Sequence, residues 1–192
     1  NTASALAGEF LKKQLVVPVF DMIAPSVLRA AAETSSGKIG VIGTRATIES
    51  GVYQSRFRDS FPNAEIVAHA CPLFVPLVEE GWLARPETKQ IVRRSLAPLR
   101  RRNIDTLILG CTHYPLLRSV IAPRIGRRVR LVDPAAEVAE TVERYLGTYP
   151  EIAGTLGRSG ETRILVSDET PAFKRLAARI LGKTVPIERA AI

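Results

Sequence analysis

The run Ile108-Leu109-Gly110-Cys111-Thr112-His113-Tyr114-Pro115-Leu116-Leu117 places three chemically capable side chains at adjacent positions. Apolar residues Thr106–Leu109 read as a buried strand, and Gly110 permits a tight turn. Cys111 then stands at a strand end beside a helix start. Positive partial charge there favours a thiolate and is expected to lower the thiol pKa from its usual value of about 8.5. Thr112 adds a hydroxyl, and the first free N–H groups of a helix can hold a carboxylate. His113, two positions on, can give or take a proton near the sulfur. The residues fit an activated cysteine that acts as nucleophile or base. The alternative is a packed cysteine with Thr112 as a helix N-cap.

Two further strand-to-helix turns carry polar groups. Gly43-Thr44-Arg45-Ala46-Thr47 offers two hydroxyls, Thr44 and Thr47, at a helix start, suited to an anion or simply to capping. Cys71 precedes Pro72, which lacks an N–H, so it is a poorer thiolate site and reads as structural. Glu79 and Glu80 end the short apolar segment that follows, an unfavourable place for acids at a helix C-terminus. His69 reads as a polar strand-end residue. No pair of ligands has a recognised zinc spacing, and no turn matches a P-loop or a dinucleotide fingerprint.

The surrounding pattern alternates strand and helix. Helices are expected over 2–15, 25–33, 47–60, 72–80, 86–102, 114–125, 135–146 and 171–181. Strands are expected over 16–20, 39–42, 65–70, 106–109, 129–132, 163–166 and 185–187, with a polar loop over 147–160. Such a chain is an α/β protein with mostly parallel sheets, and ligands bind beyond the carboxyl ends of its strands.

The 192 residues are 46% hydrophobic and 24% charged, ordinary for a globular chain and inconsistent with a disordered one. No apolar run reaches the roughly 18 residues of a membrane span. No basic segment followed by an apolar stretch opens the chain, so no secretory leader is expected and the cytoplasm is the expected compartment. Two cysteines make no disulfide framework and are expected as free thiols. The net charge of +8 is concentrated at Arg93-Arg94, Arg100-Arg101-Arg102 and Arg127-Arg128, read as helix ends and the loops after them. No aromatics interleave with these arginines, which argues against a nucleic-acid partner.

A weak internal echo links the two ends. Val19-Phe20-Asp21 and Leu131-Val132-Asp133 each precede a helix, and Asp133 follows Cys111 by 22 positions. Taken together, the Cys111 run, Val41-Ile42-Gly43-Thr44, the stretch Ala70-Cys71-Pro72-Leu73-Phe74-Val75-Pro76-Leu77-Val78-Glu79, and Leu131-Val132-Asp133-Pro134 resemble the glutamate racemases of the cofactor-independent aspartate/glutamate racemase superfamily. Asn1-Thr2-Ala3-Ser4-Ala5 resembles the stretch that directly follows that family's first catalytic cysteine.

The resemblance implies two pseudo-symmetric α/β halves with the active site between them. Residues 24–135 would form one complete half carrying Cys111, while 1–23 and 136–192 would belong to the other, incomplete in its opening strands. It implies two-cysteine proton transfer between L-glutamate and D-glutamate, for peptidoglycan, with no cofactor and no metal. Cys111 resembles the cysteine that deprotonates L-glutamate, His113 its assistant, and Glu79, ahead of Glu80, the acid beside them. Asn1, Thr2 and Thr112 resemble substrate-binding residues, as do Thr44 and Thr47 on the glutamate side. Association as a homodimer is a further expectation. The first catalytic cysteine would stand one position before Asn1, so the 192 residues alone are expected not to racemise. The alternatives are a racemase of another acidic amino acid in the same superfamily, or an inactive fragment that only binds.

Overall fold

The computed structural model describes residues 1–157, 160 and 162–190. Its centre is a four-stranded parallel sheet of β1 (Lys38–Gly43), β2 (Glu65–Ala70), β3 (Thr106–Gly110) and β4 (Arg130–Val132), in the order β2-β1-β3-β4. The helices before, between and after these strands are α1 (Thr2–Gln14), α2 (Ile23–Glu33), α3 (Arg45–Glu49), α4 (Val52–Ser60), α5 (Phe74–Glu79), α6 (Pro86–Arg101), α7 (Arg118–Ile125) and α8 (Pro134–Thr148). They are followed by α9 (Pro150–Thr155) and by α10 (Pro171–Leu181), which lies between β5 (Ile164–Val166) and β6 (Ile187–Arg189). β5 and β6 pair in parallel with each other.

Side-chain alternation along the central strands feeds two cores. Ile39, Val41 and Ile108 point to one face, where Ile23, Val27 and Ala30 of α2 and Tyr53 and Phe57 of α4 cover them. Ile42, Leu107 and Leu109 point to the other, against Phe74 of α5, Val92, Leu96 and Leu99 of α6, and Ile121 of α7. Gly40 lets α6 approach: an added Cβ there would collide with Ile104 and Leu99 side chains. Both faces of β1 and β3 are therefore covered, which is why these strands read as continuous apolar runs.

Several expectations shift. Val16–Phe20 forms no strand: it pairs with nothing among the described residues, Val16 is fully exposed, and β-propensity without a partner makes no ladder. The helix expected over 47–60 is two helices, broken where Gly51 takes φ +67°. Residues 114–117 form a 3₁₀ turn before α7. The loop expected over 147–160 contains the helix α9, opened by Pro150 at its first turn, and positions 158 and 159 lie outside the described residues. Arg93 and Arg94 lie inside α6 rather than at its end. Among the described residues no helix is long and apolar enough to cross a membrane.

The echo between the chain's ends has a local counterpart. Asp21 Oδ1 accepts from the Ile23 and Ala24 N–H groups at 2.7 and 2.9 Å, starting α2. Asp133 Oδ1 accepts from the Ala135 N–H at 3.0 Å, starting α8. At the opposite end of the sheet, Asp105 ties β3 to the turn before β1. Desolvation works against its charge, but donors from Thr34, Ser36 and Ser35 outweigh it and hold the carboxyl well below the usual carboxylate range.

Candidate active site

The strand order β2-β1-β3-β4 has its switch point between β1 and β3, whose chains leave in opposite directions along the sheet. Gly43 and Gly110 end these strands in register. Their lack of side chains allows the close approach: a Cβ on Gly110 would stand 2.7 Å from the Ile42 carbonyl oxygen. Thr44 and Cys111 thus emerge side by side at one mouth.

On the β1 side, Thr44 caps α3 by accepting from the Thr47 N–H at 3.3 Å. Its hydroxyl also lies 3.0 Å from that of Thr47. Thr2, on the first turn of α1, brings a third hydroxyl to 3.1 Å from each of them. Three hydroxyls so arranged can satisfy one another around a ring, or turn their protons together toward an anion. Asn1 stands next to them, its Oδ1 accepting from the Tyr53 hydroxyl at 2.6 Å.

On the β3 side, His113 bridges sulfur and carboxylate. Its Nδ1 lies 3.8 Å from Cys111 Sγ, and its Nε2 lies 3.3 Å from Glu79 Oε1. With Nε2–H donating to Glu79, Nδ1 is left as an acceptor for the thiol proton, and the carboxylate steadies the imidazolium that results. Glu79 is placed by α5, which is locked to this turn through Tyr114: the Tyr114 hydroxyl donates to the Cys71 carbonyl at 2.8 Å. Glu80 instead borders an exposed apolar groove with Leu73, Pro76 and Trp82. The geometry therefore selects Glu79 over Glu80 as the acid beside His113.

One expectation about this turn and one part of its alternative are overturned. The thiol of Cys111 is not pushed down. Burial raises it, outweighing the His113 and Tyr114 N–H donors, and the Glu79 charge raises it further. The helix start is a 3₁₀ turn that runs into α7, and burial of the sulfur outweighs what its N-terminal donors supply. Thr112 is not an N-cap either: His113 occupies the cap position and makes no side-chain cap bond. Thr112 is exposed and, among the described residues, makes no side-chain hydrogen bond to the other candidates. A raised pKa makes Cys111 a stronger base once ionised, which suits a weakly acidic C–H.

Cys71 is 1% exposed, and burial pushes its thiol up to about 12. It lies in the apolar core with Phe74 and Val78, consistent with the structural reading of its sequence context. The two thiols should therefore separate in an alkylation experiment. With iodoacetamide between pH 6 and 10, Cys111 should react slowly, with a midpoint above that of an ordinary thiol. Cys71, about 10⁻⁴ ionised at pH 8 by its raised pKa, should remain unmodified in the folded chain. Peptide mass mapping reads both.

Tyr53 was not among the residues singled out from sequence. Its hydroxyl reaches Asn1 across 52 positions, a contact with no local signal in the sequence. Among the described residues no three His, Cys, Asp or Glu side chains converge as a metal cluster.

Comparison with known proteins adds four findings. Residues 1–142 match the model of the Asp/Glu/Hydantoin racemase family. A glutamate racemase of Geobacter metallireducens is 46% identical over 182 residues, covering 95% of this chain and 67% of that protein. Among solved structures, a glutamate racemase from Bacillus anthracis superposes with a TM-score of 0.91 at 33% identity, over 100% of this chain and 71% of the other. The Francisella tularensis glutamate racemase in complex with D-glutamate superposes with a TM-score of 0.89 at 28% identity, over 100% and 70%.

Proposed function

The chain belongs to the Asp/Glu/Hydantoin racemase family, and we propose that it carries the L-glutamate-deprotonating side of a glutamate racemase site. The observation that carries this reading is the line Cys111–His113–Glu79 standing at the sheet's switch point beside the three hydroxyls of Thr2, Thr44 and Thr47.

In this reading the thiol of Cys111 gives its proton to His113, whose imidazolium Glu79 steadies. The thiolate then removes the α-proton of L-glutamate. The hydroxyl cluster takes the distal carboxylate, so length of side chain is measured from the α-carbon to those three oxygens. Asn1 and Thr112 hold groups on the α-carbon. Such donors matter because they meet the charge that grows as the C–H bond breaks. Inversion needs an acid on the opposite face of the carbon, a second thiol that these 192 residues do not supply, since Cys71 is buried in the core. Residues 24–135 form the half that carries Cys111, and 1–23 with 136–192 belong to the other. The product, D-glutamate, serves peptidoglycan synthesis in the cytoplasm, with thiols alone as the catalytic bases.

Exchange of the α-proton in D₂O tests the substrate assignment. L-glutamate should lose its Cα–H signal at least ten times faster than L-aspartate or L-glutamine. One methylene is worth about 1–3 kcal/mol in a fitted site, and a site built to bind the second carboxylate rejects the amide that lacks its charge. Equal exchange of L-aspartate would move the assignment to another acidic amino acid.

A further inference from the structure

We propose that the cleft at the amino-terminal end of the central sheet binds a diphosphate group, held by Arg100, Arg127 and Arg128. The cleft lies at the opposite end of β3 from Cys111, so this inference stands apart from the glutamate reading.

The cleft has a volume of about 760 Å³, between the turn before β1, the end of α6 and the turn joining α7 to β4. That is the size of a small-molecule site. Arg127 and Arg128 occupy a tight turn, closed where the Val129 N–H donates to the Gly126 carbonyl at 3.0 Å. Gly126 takes φ +132°, a backbone that any side chain would strain, so the turn presenting the two arginines is set by glycine. Arg100 reaches the same cleft from the last turn of α6.

The charge balance around these three points to a ligand. Two acids line the cleft, Glu33 and Asp105, and both are already engaged. Glu33 pairs with Arg29 at 3.1 Å and with Arg130 at 2.7 Å. Asp105 accepts from the Thr34 hydroxyl and from the Ser35 and Ser36 N–H groups. Among the described residues no ion pair engages Arg100, Arg127 or Arg128. Three cations on one cleft repel one another, and a multiply charged oxyanion relieves that repulsion. Guanidinium forks grip phosphate oxygens in pairs and stay charged at every working pH. One phosphate carries at most about two negative charges at neutral pH, so two linked phosphates match three arginines better. No aromatic side chain lines the cleft, so a nucleic-acid strand finds no stacking platform there.

Calorimetric titration of the 192-residue chain with inorganic pyrophosphate tests the site, with orthophosphate, ADP and duplex DNA as comparison probes. Pyrophosphate should bind at least about tenfold more tightly than orthophosphate, by the value of one further charged hydrogen-bond pair. ADP should bind about as tightly as pyrophosphate, because the diphosphate is the group recognised. Arg100→Gln and Arg127→Gln should each weaken pyrophosphate about tenfold. Arg93→Gln, on α6 outside the cleft, should change it less than about twofold, since salt screens a distant exposed charge. Circular dichroism shows that each variant is folded. The proposal is overturned if the parent chain binds no pyrophosphate, if orthophosphate binds equally well, or if only ADP binds. It is overturned too if Arg93→Gln costs as much as Arg127→Gln, because general surface charge then explains the binding. Duplex DNA that binds with the same dependence on Arg100 and Arg127 would make this face a polymer surface and would also overturn it.

Discussion

Replacing Cys111 with alanine should slow α-proton exchange of L-glutamate about 10³-fold, the middle of the range contributed by a positioned general base. The effect should be this large because nothing else near the α-carbon can take the proton directly. Cys71 is locked in the core with its thiol pushed up to about 12. In the proposed arrangement His113 reaches the substrate only through the sulfur that its Nδ1 faces, and Glu79 lies on the far side of the ring, at Nε2. The fold should survive, since Cys111 is small and only its side-chain sulfur is lost. The expected cost is about 1 kcal/mol, ordinary for a single substitution. Circular dichroism and the Kd for L-glutamate should therefore change little while exchange collapses. His113→Gln should lose less, about 10–100-fold, because it removes the assistant and leaves the base.

Replacing Tyr114 with alanine should cost about 3–5 kcal/mol of stability, the usual range for deleting a fully buried large side chain. Tyr114 is 0% exposed and packs edge-on against Phe74 with ring centroids 5.1 Å apart. Its hydroxyl holds the Cys71 carbonyl, so one side chain joins the turn after β3 to the turn that starts α5. Tyr114→Phe should cost only about 1 kcal/mol, because the Cys71 carbonyl keeps its second donor, the Phe74 N–H at 3.1 Å. Urea unfolding separates the two variants. The alanine variant should also release Glu79 from His113, since α5 loses its anchor.

The contrast between these residues shows what could be read from the chain before it folds. The central strands were legible because β1 and β3 are covered on both faces, so their apolar runs are unbroken. The cap at Thr44 and the turn at Gly43 follow from local residue types. Cys111 and His113 lie two positions apart, and their pairing is a local matter as well. What lay beyond reach was set by tertiary environment. The direction of the Cys111 shift depended on burial, where local reasoning expected the helix start to prevail. Val16–Phe20 had strand-forming residues and no strand to pair with. The choice of Glu79 over Glu80 needed the path of α5, and the Tyr53–Asn1 hydrogen bond spans 52 positions.

The two-base division of labour can be tested with one incubation. The 192-residue chain is placed in D₂O with L-glutamate, Cα–H loss is followed by NMR, and the enantiomers are separated by chiral chromatography at matched times. The expected result is L-glutamate deuterated at the α-carbon with its configuration kept, and no accumulation of D-glutamate. Conversion to D-glutamate at the rate of exchange, or exchange that continues unchanged in the Cys111→Ala variant, would contradict the assignment of Cys111 as the single base this chain supplies.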